Sequence, residues 1–271
     1  MYPLIACSPK RLPLETLVAA AKTATSINPL NHTPLHRLAQ VIPDFVLNPQ
    51  RIAVLTTKYW GVQGVSLTVG FLDNPPANLR KRIVQHMNAW TKTANVKFVE
   101  TKTDPQVRIA RAGGPDGGYW SYLGTDVLHI AKTDPTMNLE AFTMDTPESE
   151  FHRVIRHETG HTLGFPHEHM RKALVDKIDP DKALEYFEST QGWSEEEVRA
   201  QVLTPLEESS LRGTTADAKS IMCYQIPGDV TKDGKPIIGG LDIDALDFKF
   251  AGMIYPKKVG KPPKAPKASK K

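Results

Sequence analysis

An α+β fold is the class this sequence predicts, on three observations. Short alternating apolar runs between residues 65 and 131 read as strands. A stretch with helical periodicity, 77–94, lies among them. A second helical stretch at about 147–163 is followed by a loop-rich region, 165–256, instead of further alternation. With 271 residues, 40% hydrophobic and 24% charged, the chain suits one globular domain of one or two lobes with appendages.

Residues 1–55 combine a short helical pattern, Leu14 to Ala21, with the turn signals Asn28-Pro29, Thr33-Pro34, Ile42-Pro43 and Asn48-Pro49. They are expected to form an extension wrapped on a catalytic domain at 56–256. Val65 to Phe71 alternates as a strand should. Leu79, Ile83, Val84, Met87 and Trp90 mark the core face of the 77–94 helix. Val96 to Glu100 and Val107 to Ala110 predict two more strands. After the glycine-rich turn at Gly113, Gly114, Gly117 and Gly118, Tyr119 to Leu123 predicts a short edge strand and Val127 to Ala131 another strand. For the 147–163 helix the expected start is Thr146 as N-cap and Pro147 in the first turn, with Glu148 and Glu150 at the positive end of the dipole. Helices are expected at 180–190, 194–203 and 243–254. Residues 257–271 are rich in Lys and Pro, and that composition predicts no packed structure.

Removing the seven lysines of that tail leaves 27 basic against 30 acidic residues, a net charge of −3. The basicity is therefore terminal, and a nucleic-acid groove is not expected. No run approaches the roughly 18 consecutive apolar residues of a membrane span. The N-terminal MYPLIACSPKRLPLE makes a poor secretory signal, so the expectation is a cytoplasmic chain or one exported by a leaderless route. Cys7 and Cys223 allow at most one bridge.

The stretch Arg156 to Glu168 reads RHETGHTLGFPHE and carries H-E-x-x-H extended to H-E-x-x-H-x-x-G-x-x-H. Residues i and i+4 share one helix face, so His157 and His161 can present imidazoles to one metal. Gly164 can adopt the positive φ of a sharp turn, and Pro166 keeps the helix from restarting, so His167 can swing back as a third ligand. Three neutral imidazoles leave one position open, the arrangement of a catalytic zinc. Glu158, beside the first ligand, can act on the water there as general base without coordinating. Exposed histidines on a chance helix are the bland alternative, and the glycine and third histidine at their required spacings argue against it.

The extended motif resembles the metzincin clan, which adds a methionine turn downstream. Ser220-Ile221-Met222-Cys223-Tyr224 looks like that turn. Gly164-Phe165-Pro166-His167-Glu168, the tyrosine two residues after Met222, and Tyr119-Trp120-Ser121-Tyr122-Leu123-Gly124 bring the resemblance closest to astacin-type peptidases and their bacterial relatives. It covers roughly 60–256. It implies a two-lobed zincin fold, with a twisted mixed sheet and the active-site helix in an upper lobe, 56–164, and an irregular lower lobe, 165–256. It implies one catalytic Zn2+ on His157, His161 and His167, with Met222 as an apolar cushion beneath it. Tyr224 would be a displaceable fifth ligand that stabilises the oxyanion; a buried tyrosine bonded to backbone is the alternative. Glu168 would be a structural carboxylate behind the site, paired in relatives with the mature N-terminus. A peptide could add as a strand along Tyr119, Trp120, Ser121, Tyr122 and Leu123; an ordinary hairpin edge is the alternative. Arg171 matches the family's arginine, whereas position 223, often His in relatives, is Cys.

Residues 1–55 could also be a latency segment, with a Cys7 thiolate or the Asp44 carboxylate in the open zinc position, or else a packed structural arm. His32 and His36, interrupted by Pro34, read as surface histidines. His169 would crowd the metal. His86, His129 and His152 suggest no site. Cys223 reads as a small buried residue. The expected function is a monomeric zinc endopeptidase acting on protein or peptide. A non-catalytic peptide-binding relative and an enzyme for another amide, such as a cell-wall peptide, are the competing readings.

Overall fold

A computed structural model describes residues 7, 10–31, 56–114, 117–168, 171–205, 217–223 and 225–257. Asp44, His32, His36, His169, Tyr224 and the tail from 258 onward lie outside them. Five strands form one mixed sheet: β1 (Val65–Phe71), β2 (Val96–Glu100), β3 (Val107–Ala110), β4 (Tyr119–Ser121) and β5 (Met137–Leu139). Their order is β2-β1-β3-β5-β4, with every pair parallel except the antiparallel β4–β5 pair at the edge. In β1 the alternation of Val65, Leu67 and Val69 turns one set of side chains inward. They join a core with Leu79, Ile83 and Met87 of α2 (Ala77–Met87) and with Phe151, Val154 and Ile155 of α3, the helical run 148–162. α2 passes into a 3-10 turn, Asn88–Lys92, that seats Trp90 in the same core.

Three expectations fail here. Val127 to Ala131 is not a strand: Gly124–His129 is a 3-10 turn, and the strand beside β3 is Met137–Leu139. The reason is tertiary. Thr125 N–H donates to the Lys58 carbonyl at 3.0 Å, and buried Asp126 lies 3.8 Å from Lys58 Nζ. A Cβ at Gly124, where φ is +49°, would strike the Lys58 carbonyl, so this glycine permits the docking. That docking outweighs the strand-like alternation of the sequence. Thr146 is not the cap of α3 either. Pro147 holds the N-cap position, and Thr146 Oγ1 instead accepts from the backbone N–H of Thr143 at 3.0 Å. The edge strand is shorter than expected, ending at Ser121. α3 itself contains a π segment, Phe151–Ile155, between its first turn and the ligand-bearing turns Arg156–Thr162.

After α3 the chain forms a second, smaller core from Leu174, Ile178, Ala183, Phe187, Val198, Val202, Cys223, Ile226, Val230 and Ile237. It is organised by α4 (Pro180–Gln191), which Asp179 caps by accepting from the Lys182 N–H and which ends on Gly192 at φ +67°. The expected 194–203 helix is Glu195–Val198 followed by a π turn, Arg199–Leu203. α5 (Ala245–Ile254) returns to the larger core behind a capping box made by Asp244 and Asp247.

At the other end, α1 (Leu14–Ile27) runs further than its sequence pattern indicated. Leu12, Leu17 and Ala20 pack with Tyr122 and Ile130. Asn28 Nδ2 donates to the Trp60 carbonyl, and Asn31 Nδ2 to the Tyr59 carbonyl. Among the described residues no helix is long and apolar enough to cross a membrane, and both cysteines are free and buried.

Candidate active site

The last turns of α3 carry the first two metal-ligand candidates, and the chain after them is held by packing at three points. Trp90 Nε1 donates to the Arg156 carbonyl, Trp60 Nε1 to the Thr162 carbonyl, and Tyr255 OH to the Leu163 carbonyl. The bonds to Thr162 and Leu163 satisfy carbonyls at the helix end that would otherwise be orphaned in a buried setting, and the Trp90 bond ties the start of the ligand-bearing turns to the core. Gly164 then reverses the chain at φ +90°, close under the Lys58 carbonyl, as its sequence position implied. The turn returns His167 to the helix.

His157, His161 and His167 converge. The Nε2 atoms of His157 and His161 stand 3.2 and 3.0 Å from that of His167. Ligands on a tetrahedral zinc with Zn–N near 2.0–2.1 Å lie about 3.3 Å apart, so the three nitrogens fit the ion. Their ring orientation fits as well. His157 Nδ1 donates to the Ile221 carbonyl at 2.6 Å, and His161 Nδ1 to the Phe165 carbonyl at 2.8 Å. Each bond fixes the tautomer that leaves the Nε2 lone pair facing inward. Burial pushes His157 down to about 4, so its ring is neutral at ordinary pH and competent to coordinate.

Met222 packs against Gly160 of the ligand-bearing turns. A Cβ at Gly160 would collide with its sulfur and press on Trp90, so the methionine fits because the helix has no side chain there. The methionine turn is fastened from α5. Asp247 accepts from Ser220 Oγ at 2.6 Å and from the Ile221 N–H at 2.9 Å, while the Ile221 carbonyl holds His157. Burial pushes Asp247 up to about 6. Glu168 works beside it. Its N–H donates to the Met222 carbonyl, its Oε1 accepts from the Asp217 N–H at 3.1 Å, and Arg171 lies 3.3 Å from the same oxygen. Burial raises this carboxyl to about 7 despite Arg171. It thus braces the methionine turn through protein partners.

Glu158 is buried, and its Oε2 has no hydrogen-bond partner among the described residues. A fully buried, unsatisfied carboxylate oxygen costs free energy and marks a place where a polar group belongs. Burial pushes the carboxyl up to about 8, against a hydrogen bond from the Cys7 thiol and the charge of Arg153. Both Glu158 and His157 line a cavity of about 360 Å³. Tyr119 and Arg153 form part of its wall, and Cys223, Ile226, Ile237 and Tyr186 line it from the smaller core.

Of the edge residues, Tyr119, Trp120 and Ser121 are β4, the strand at the end of the sheet order beside β5. Ser121 Oγ lies 3.1 Å from Thr162 Oγ1, tying the strand to the ligand helix. Tyr122 makes a parallel bridge with Lys10, and Leu123 precedes the 3-10 turn. Cys223 is wholly buried, and burial raises its thiol well above the usual range. Three participants went unremarked in the sequence. Arg153 sits four residues before His157, a spacing that placed it on the ligand face. The Asp244/Asp247 capping box was legible as D-x-x-D, although its grip on residues 220–221 was not. The apolar wall from α4 and 226–238 carried no local signal.

The sequence model of the astacin peptidase family matches residues 55–235. "Zinc metalloproteinase nas-27" of Caenorhabditis elegans is 29% identical over 102 residues, which are 37% of this chain and only 21% of the length of that relative. Two solved structures of myroilysin are similar to this one. The first is 29% identical with a TM-score of 0.69, covering 74% of this chain and 97% of the other. The second is 30% identical with a TM-score of 0.57, covering 74% and 86%.

Proposed function

Because the chain belongs to the astacin family of peptidases, we propose that it is a zinc-dependent endopeptidase in which His157, His161 and His167 hold the ion and Glu158 moves the proton. One observation carries the reading: three imidazoles share a focus, two of them anchored through Nδ1 on backbone carbonyls, beside a buried carboxylate with an unsatisfied oxygen. When bound, zinc supplies Lewis acidity, polarising a carbonyl and bringing the pKa of a coordinated water towards about 7.

The chain's own residues do the rest. Glu158 takes a proton from the attacking water and returns it to the departing amine, so no covalent intermediate is needed. A carboxyl raised by burial is a stronger base than an exposed one, and a nearby cation would draw it back towards the ionised form. The edge strand Tyr119, Trp120 and Ser121 is where an extended peptide would add, with Tyr122 and Leu123 continuing the track. Ser121 keeps that edge in register with α3 through Thr162. Tyr224 is assigned the oxyanion role on the family resemblance. Met222 and Gly164 shape the floor and the turn, and Glu168 braces them.

The test is cleavage of an unfolded protein by the zinc-loaded chain, intact and as Cys7→Ser, because Cys7 lies against Glu158. Products are mapped by mass spectrometry with and without chelator. Chelation should abolish internal cleavage. Glu158→Ala should keep one zinc per chain and lose turnover; cleavage at the parent rate by that variant would sink the mechanism.

A further inference from the structure

We propose that the cavity beside Glu158 is a side-chain pocket selecting substrates with a large apolar residue, such as Phe, Leu or Met, next to the scissile bond, and that Ile238 at its rim is a specificity-determining residue. The inference rests on the peptidase reading and names the substrate class of that site.

Position comes first. Glu158 and His157 line the cavity. A group that moves the proton of peptide hydrolysis stands within hydrogen-bond reach of the reacting atoms. A substrate side chain that enters the cavity therefore belongs to a residue flanking the bond that is cut. The volume of about 360 Å³ lies at the lower end of the range of small-ligand pockets, about 300–1,000 Å³, and is ample for one side chain.

The lining sets the chemistry. Val154 and Ile221 come from the larger core, and Phe187, Ile226 and Ile237 from the smaller one. All five are buried, and their side chains carry no polar group. Ile238 lines the same cavity and is 60% exposed, which puts it at the rim. An isoleucine left that open gains burial only when an apolar group covers it. Its loop is held firmly. Ile226 and Ile237 exchange backbone bonds at 2.9 Å, and the Gly239 and Gly240 N–H groups donate to the Ala218 and Cys223 carbonyls at 3.0 Å. A Cβ at Gly240 would strike the backbone of Ser220 and Ile221, so the loop packs directly on the methionine turn. A pocket wall fixed in advance spends little binding energy on ordering itself.

Charge argues the same way. Among the described residues of the lining, Arg153 is the one permanent cation. Its Nε and Nη2 donate to the two carboxylate oxygens of Glu150 at 3.1 and 2.6 Å, and its guanidinium lies 5.9 Å from the centre of the Tyr119 ring. An acidic substrate side chain would have to shed its water to meet a cation already matched by a bidentate partner. Discrimination against Asp and Glu is thus built into the Glu150–Arg153 pair.

Digestion of a peptide library by the zinc-loaded chain, intact and as Cys7→Ser, tests this, with the cut sites read by mass spectrometry. We expect Phe, Leu and Met at one position beside the cut, favoured over Ala by about tenfold or more and over Asp by more still. Ile238→Arg, a change at an exposed site, should lower the preference for Phe over Asp by about tenfold. Glu150→Gln frees Arg153 and should raise cleavage beside Asp while cleavage beside Phe persists. The proposal is overturned by a parent profile without apolar preference, by a parent preference for Asp or Glu, or by an unaltered profile in Ile238→Arg or Glu150→Gln. Saturation-transfer NMR with the N-acetyl amides of phenylalanine and aspartate reads the pocket without catalysis. The phenylalanine compound should bind the zinc-loaded chain, and its signal should fall about threefold or more in Ile238→Arg. Equal binding of the two compounds overturns the pocket. Should no form cleave protein, the binding contrast still decides whether the pocket is selective, while the peptidase reading fails.

Discussion

Among the described residues, two histidine clusters gather donor atoms to within 4.8 Å: His157, His161 and His167 with Cys7, and His86 with Glu148 and His152. Their spacings are nearly the same. Glu148 Oε1 lies 3.2 Å from His86 Nε2 and 3.3 Å from His152 Nε2. What differs is the surroundings. In the first cluster, His157 and His161 set their outer nitrogens on neutral backbone carbonyls. In the second, Glu148 already pairs with Arg82 at 2.5 Å, and His152 sits between Asp242 and Arg156. Its negative charge is spent on fixed cations, and Glu148 is exposed to water. Proximity of ligating atoms is therefore not sufficient. A metal centre also needs lone pairs aimed at one point and no resident cation competing for them.

The largest effect should come from removing a ligand in the first cluster. His161→Ala is expected to lower zinc content from one per chain to none after dialysis, with activity falling to background. His86→Gln should leave zinc content unchanged, as read by elemental analysis on the same preparations. If His86→Gln loses zinc as well, the contrast between the clusters is wrong.

Next comes the proton carrier. Glu158→Gln preserves shape and removes the base, so turnover should fall by about 10²–10⁴-fold, the span general-base catalysis contributes. Zinc content should stay at one, measured on the same preparations. A third effect is structural. Gly160→Ala places a methyl against the Met222 sulfur and Trp90. Overpacking of this kind costs about 1–3 kcal/mol, and urea unfolding of the zinc-loaded chain should reveal it. Pairing Gly160→Ala with Met222→Ala should restore part of that loss, because the two side chains compete for one space.

How much of this was readable before folding follows from range. The ligand trio spans residues 157–167, and helix periodicity with one glycine turn dictates its shape. The strands at 65–71 and 96–100 were legible because their alternation agrees with the burial they find, whereas 107–110 alternates in sequence and is buried on both faces, Arg108 included. The segment 127–131 misled because its pattern is strand-like while its fate is set by Lys58, far away in sequence. Thr146 has the chemistry of a cap and the wrong place, one residue outside the helix end that Pro147 defines. Cys7 could be suspected and not placed, since 150 residues separate it from His157. The π segment in α3 left no mark in composition at all.

The smallest effect belongs to the second cluster and sharpens the comparison most. Burial, helped by Arg156, His152 and Arg82 and opposed by Glu148, pushes His86 down to about 4 from its ordinary 6.5. Between those values the unfolded chain binds a proton at this ring and the folded chain does not, so stability falls as pH drops from about 6.5 towards 4. Glu148, held low chiefly by its bond to Arg82, acts in the same direction, since its folded form also resists protonation. His86→Gln should therefore match the parent closely at pH 7.5 and lose less stability on going to pH 5. Both proteins are compared by urea midpoint in the chelated form, where zinc release adds no slope. An unchanged pH slope would mean that His86 is protonated in the folded state, and then the second cluster binds its proton much as the first would bind its metal.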